Sequence, residues 1–272
     1  MIPLTKFFAI EYSALFDVLG PALASWRMPT PLGGTTTHFR TRILRELHGW
    51  DPWNVTEDAD LGLRMALNGY HIGDLPSTTF EEGPKDAKAW LHQRTRWMKG
   101  FLQTSFTHGR FPSRLLRRLG PIDSLCALTL IPGTVVSALL YPFLMPLTAY
   151  RLFLGETEHA PGFLANLAHG SSLVVIFGGL AVMLLPGFLG CRRRNWRDLY
   201  RFVPLLPFYY LLVSLAAWLA VLELARHPHR WNKTEHGLSR TSRSGALHLK
   251  RGATVRADAP VPRPSPAAGV AG

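Results

Sequence analysis

The chain has 272 residues, with 30 Lys and Arg against 18 Asp and Glu for a formal charge of +12, and it is 47% hydrophobic but only 18% charged. That charged fraction lies below the ~25% of an ordinary soluble domain. The positive charge sits beside long apolar runs rather than interleaved with polar residues on a folded face, which excludes a basic nucleic-acid module and favours a membrane protein with cationic loops.

Residues 1–26 carry Phe8, Tyr12, Leu15, Phe16 and Leu19 at helical spacing and predict an amphipathic helix ended by Pro29 and Pro31. Glu11 interrupts the apolar run after Lys6 and no small-residue cleavage site follows, so this is not a signal peptide. Residues 32–40 read as a Gly/Thr-rich loop or short strand. A short helix is expected over 41–49, and a second over 56–68 with Thr56 at its N-cap, acidic residues in its first turn and Gly69 after its end. Residues 71–75 and 77–81 are strand candidates, and a long helix runs from about Asp86 to Thr107. This mixture predicts part of an α/β layer.

Near residue 121 the pattern changes. Residues 122–154, 171–190 and 202–222 are apolar runs that reach the ~20 residues needed to cross a bilayer. Arg110, Arg114, Arg117 and Arg118 precede the first run, and Arg192, Arg193, Arg194, Arg197 and Arg201 follow the second. The loop over 155–165 holds Glu156 and Glu158. By the positive-inside rule the two basic loops are cytoplasmic, and so are residues 1–118. Three crossings would leave the tail outside, yet residues 226–272 hold nine Lys and Arg against two Asp and Glu. The first run is therefore two passes broken at Pro132-Gly133, or the last is re-entrant, or the basic tail is exported. The tail from about Ser239 has no apolar period and is expected to be disordered. Cys126 and Cys191 lie in or at the end of apolar segments and offer neither a disulfide framework nor a metal spacing.

Three clusters carry candidate chemistry. Thr56-Glu57-Asp58 with Asp60 gathers three carboxylates at a helix start; the plainer reading is acidic decoration that suits the helix dipole. Gln93, Arg96, Trp97 and Gly100 share one helix face, with Arg94 between them in sequence. A guanidinium suits a diphosphate and a Trp face suits a sugar ring; the plainer reading is an interfacial helix with a Trp anchor and snorkelling arginines. Gly33-Gly34-Thr35, with His38 and Arg40, allows a close backbone approach, and taken alone it is a turn.

Taken together, Leu32–Arg40, His48-Gly49-Trp50-Asp51 through Met65, and Gln93-x-x-Arg96-Trp97 about 35 residues after Thr-Glu-Asp resemble the acceptor-side motifs of membrane family 2, cellulose-synthase-like glycosyltransferases. Trp231–Gly237 resembles the tail of bacterial members. The resemblance implies a partial glycosyltransferase A-type α/β domain over 1–120 with interfacial helices, transmembrane helices over 121–225 in three or four passes, and a basic tail over 226–272. It implies inverting transfer from a nucleotide-diphosphate sugar to an acceptor hydroxyl at a bacterial inner membrane. Asp58 would be the general base. Arg96 would meet the leaving diphosphate, with Gln93, Arg94 and Trp97 also on the substrate. Thr56, Glu57, Gly33, Gly34, Thr35 and His38 would line the acceptor side. A complete enzyme of this kind uses Mg or Mn held by an Asp-x-Asp in a nucleotide-binding half. Neither is expected upstream of Thr56, so the donor site and metal ligands would belong to an upstream segment or a separate donor-binding polypeptide. Asp58-Ala59-Asp60 is formally Asp-x-Asp, but it coincides with the Thr-Glu-Asp position and lacks the alternating strands of a nucleotide sheet before it. The competing reading is a non-catalytic interaction subunit or degenerate transferase remnant.

Overall fold

The computed structural model describes residues 3–79, 81–84, 86–153 and 163–228. The chain begins with α1 (Pro3–Ala14), widens into a π-helical turn (Leu15–Leu19) and finishes the rod as α2 (Gly20–Ser25). Two short helices follow, α3 (Thr41–Glu46) and α4 (Glu57–Leu67), then the long α5 (Ala87–Gly109). Next come α6 (Pro112–Leu130), α7 (Pro132–Phe153), α8 (Phe163–Arg193), a 3-10 segment (Arg197–Leu205) and α9 (Leu206–Arg226). The capping chemistry explains several boundaries. The Asp86 carboxylate accepts from Ala89 N at 2.7 Å and starts α5. Gly69, at φ +77°, follows the end of α4. Gly120, at φ +76° and directly before Pro121, kinks α6.

The expected α/β layer is not found: among the described residues there is no strand. Residues 32–40, 71–75 and 77–79 are loop or extended; the side chains of Thr36 and Thr79 meet, but among the described residues no backbone N–H and C=O groups are exchanged between these segments, and without that ladder there is no sheet. Residue 80, the loop over 154–162 and the tail from 229, including the Trp231–Gly237 motif, lie outside the described residues.

Among the described residues four helical stretches are long and apolar enough to cross a membrane: Leu4–Ser25, Pro132–Tyr150, Ile176–Arg193 and Arg197–Arg226. The first of these was expected to be only amphipathic. The 122–154 run is interrupted at Ile131, just before the Pro132-Gly133 pair, and among the described residues only the α7 side of it has spanning length. Phe143 and Leu147 on α7, Val182 and Leu185 on α8, and Phe208 and Leu222 on α9 are exposed. Such rows are costly in water and are satisfied by lipid.

One core holds the helices together. Ile10 of α1, Trp90 and Met98 of α5, Val135 of α7, Cys191 of α8, and Tyr209 of α9 meet in it. Crossings are close where glycine faces a neighbour. A Cβ on Gly187 would lie 3.0 Å from Ile10 Cγ2, and one on Gly190 would lie 2.5 Å from Ser13 Oγ, so α1 rests directly on the end of α8. Contacts of Trp90 with Tyr209 and of Lys99 with Glu223 show that α5 and α9 lie side by side and run in the same direction. A smaller core of Leu63, Leu115, Ala127 and Ile131 fixes α4 on α6.

Candidate functional site

The acidic turn is built from its backbone outward. Asn54 Oδ1 accepts from Thr56 N at 3.0 Å, and Asn54 Nδ2 donates to Thr104 Oγ1 on α5 at 2.8 Å. Thr56 occupies the N-cap position of α4, but its hydroxyl makes no cap bond and contacts Asn54 Oδ1 instead. Gln103 of α5 accepts from Val55 N at 3.0 Å through Oε1 and donates to Pro228 O at 2.9 Å through Nε2. Lys99 Nζ donates to His227 O at 2.8 Å. The residues just before the helix are thus clamped between α5 and the end of α9.

Asp58 stands at the head of α4. Its Oδ1 accepts from Ala59 N at 2.8 Å, and no other group among the described residues donates to Oδ2. Burial pushes its carboxyl above the ordinary aspartate range. The Ala59 N–H works against this, Glu57 adds to it, and Arg96 also opposes it. Arg96 Nη1 donates to Val55 O at 3.0 Å, which brings the guanidinium beside Glu57 and Asp58; burial lowers its pKa against the pull of those carboxylates. Gly34 lies on the other side, where a Cβ would be 3.1 Å from Asp58 Oδ2, and a Cβ on Gly33 would be 3.1 Å from Phe16 Cζ. The two glycines let the chain pass between that ring and the carboxylate.

The fold therefore brings Gly33, Gly34, Thr56, Glu57, Asp58 and Arg96 together. Gln93 is buried on the same face of α5, and its Oε1, like Arg96 Nε, takes no hydrogen bond among the described residues. Such orphaned atoms are uncommon in native interiors. Trp97 is half-buried and stacks on Tyr12 at 6.2 Å. Thr35 and His38 are exposed on the loop. Arg94 departs from the expected substrate role: it is buried against α1, where both Glu11 oxygens accept from its guanidinium, with the bond from Nη1 at 2.6 Å.

A family profile described as glycosyl transferase family group 2 matches residues 5–222. The chain belongs to this family. Among curated relatives, probable glycosyltransferase YdaM of Bacillus subtilis is 35% identical over 98 residues, 36% of this chain and 23% of that protein. A beta-monoglucosyldiacylglycerol synthase of a Nostoc species is 27% identical over 224 residues, 75% of this chain and 43% of that protein. Probable glucomannan 4-beta-mannosyltransferase 4 of Oryza sativa is 34% identical over 70 residues, 25% of this chain and 12% of that protein. The chain spans less than half the length of each of these relatives. No solved structure gives a significant match.

Around the candidate site lie partners that local patterns did not reveal. Glu11 joins α1 to Arg94 and accepts from Tyr209 Oη at 2.8 Å, while Trp90 Nε1 donates to the same hydroxyl at 3.2 Å. Asp60, two residues after Asp58, is buried and turned elsewhere. It accepts from Arg64 Nε and is bonded to His108 Nε2, each at 2.7 Å. Burial works to raise the Asp60 pKa, but the bonds to His108 and Arg64 outweigh it and hold the carboxyl below the ordinary range. Arg64 extends this network to Leu47 O and Gly49 O, both at 2.7 Å. With both Asp60 oxygens committed, Asp58-Ala59-Asp60 does not fit a divalent cation. Among the described residues no group of three or more His, Cys, Asp or Glu side chains is placed to hold one.

Proposed function

We propose that this chain is the acceptor-side and membrane-side portion of an inverting glycosyltransferase that moves a sugar from a nucleotide-diphosphate donor to an acceptor hydroxyl. Asp58 Oδ2 takes the hydroxyl proton, the freed oxygen attacks the anomeric carbon, and the bond from that carbon to the diphosphate breaks. Arg96 offsets the charge that develops on the departing diphosphate. Gln93 and the exposed part of Trp97 hold sugar, and Thr56, Glu57, Gly33, Gly34, Thr35 and His38 shape the acceptor side.

The observation that carries this reading is the open Oδ2 of a partly buried Asp58, with its raised pKa, flanked by Arg96 and by a glycine. An up-shifted carboxylate is a better base near neutral pH than an ordinary one. The divalent metal and the nucleotide are assigned to groups outside this chain, in an upstream segment or a donor-binding polypeptide; the relatives' greater lengths support that assignment. Relatives named for a glycolipid synthase and for a mannan-forming enzyme leave lipid and polysaccharide acceptors both within reach.

We place the site on the cytoplasmic face of a bacterial inner membrane, with α7 and α8 crossing and α9 lying beside α5 at that face. Both ends of α9 support this arrangement. Its start follows the arginine cluster in which Arg194 donates to Thr78 Oγ1 at 3.1 Å, and Thr79 bonds Thr36 at 2.7 Å on the glycine loop. Its end is held by Lys99 and Gln103. This is the re-entrant alternative for the last apolar run, and it keeps the basic tail on the side that its charge prefers.

The test is transfer of radiolabelled sugar in membranes that express the complete system, with Asp58→Asn against wild type. Loss of product at unchanged protein level is expected. Product formation by the variant at the wild-type rate removes Asp58 from the base role.

A further inference from the structure

The glycine loop that flanks Asp58 has a second neighbour of opposite character. Phe16 touches it at Gly33, and Phe16 belongs to a free apolar row on the π-helical turn with Leu15 and Leu19, each more than 40% exposed. Trp26 and Arg27 follow at the end of α2, both exposed, the pairing that marks a membrane interface. The opposite side of this rod is seated on α8 through Ile10 against Gly187, and through Asp17, which accepts from Arg194 Nε at 2.7 Å. Since α8 is long and apolar enough to span, a helix resting on its end turns its free apolar row toward lipid.

We propose that the acceptor is an uncharged membrane lipid with a free hydroxyl, seated with its acyl chains on Leu15, Phe16 and Leu19 and its hydroxyl over the Gly33-Gly34 turn at Asp58. Only glycine backbone separates the apolar row from the carboxylate, so an amphiphile lying along the turn presents both of its ends to matching chemistry. A soluble sugar chain has no use for the apolar row. Glu57 and Asp58 stand side by side at the turn with Arg96 as their cation, so a neutral hydroxyl headgroup adds no further anion there. The proposal rests on the reading of Asp58 as the base, and it commits the acceptor, which that reading leaves open.

The full chain in nanodiscs is irradiated with a trace of photoreactive diacylglycerol or, in a parallel sample, photoreactive phosphatidylcholine bearing the same acyl diazirine. Labelled peptides are then mapped. Diacylglycerol should label residues 12–19 or 33–40 at least ~5-fold more than phosphatidylcholine does. In Gly34→Ala, whose new methyl crowds Asp58 Oδ2, that preference should fall toward unity while phosphatidylcholine labelling stays constant. Equal labelling by both lipids means contact with bulk lipid only and overturns the proposal, as does labelling confined to α7, α8 or α9. Asp58→Asn separates the two readings. Equal labelling with transfer abolished by Asp58→Asn removes the lipid acceptor and keeps the base; transfer retained by Asp58→Asn removes the base whatever the labelling.

Discussion

Gly100 of α5 faces Thr56 so closely that a Cβ at position 100 would overlap the threonine side chain. The seam between the helix carrying Gln93, Arg96 and Trp97 and the turn carrying Asp58 is therefore set by a missing side chain. Gly100→Ala should separate them and cost about 1–3 kcal/mol, as overpacking does. Thermal unfolding of the purified chain in detergent measures this, and an unchanged midpoint would mean that the two elements are not seated this way.

Glu11 and Arg94 form a mostly buried ion pair between α1 and α5. Removing one partner strands the other charge, so Glu11→Gln should destabilise by about 3–5 kcal/mol, whereas Glu11→Leu combined with Arg94→Met should recover most of the loss. A double-mutant cycle by denaturant unfolding reads the coupling. Simple additivity of the two single variants would show that the pair does not hold the helices together.

Two aspartates on one helix should respond to acid in opposite ways. The Asp60 pKa is lowered in the fold, so the stability it confers is complete above its unfolded pKa, near 3.9, and is lost as pH falls through the lower folded value. The Asp58 pKa is raised, so its ionised form costs stability above the folded pKa, and that cost disappears as pH falls through it. At pH 7 Asp60→Asn should lower the melting temperature, and Asp58→Asn should leave it the same or raise it. A lowered melting temperature for Asp58→Asn would contradict the burial penalty assigned to that carboxylate.

If α9 lies beside α5 rather than crossing, a reporter fused after Pro228 and one fused between α5 and α6 at Arg110-Phe111 should give the same sidedness, while one fused within residues 154–162 should give the opposite. Alkaline phosphatase and fluorescent-protein fusions make the comparison. Opposite signals from the first two positions would restore α9 as a full crossing.

Much of this arrangement is written in short-range patterns. Helical spacing already sets Gln93, Arg96, Trp97 and Gly100 on one face, but it did not separate out Arg94, which was expected on the substrate and instead pairs with Glu11 while its guanidinium lies 4.6 Å over the Trp97 ring. The start of α5 follows from local capping chemistry, whereas α4 carries the expected acidic first turn but takes no side-chain cap bond from Thr56. What was illegible depends on partners far along the chain. Glu11 gains its role only when Arg94 and Tyr209 arrive beside it, and Asn54 only through Thr104. The strand expectation failed for the same reason: an extended segment becomes a strand through backbone bonds to a neighbour, and 71–79 meets the 32–40 segment only through the Thr36 and Thr79 side chains among the described residues. Residues 1–26 held both an amphipathic period and enough apolar length to cross, and only the seating of Ile10 and Ser13 on α8 shows which side is covered.

Gln103 holds Val55 with its oxygen while its nitrogen holds Pro228. A single carboxamide thus ties the exit of α9 to the backbone three residues ahead of Asp58, so the seating of that helix end and the pose of the carboxylate are linked through one side chain.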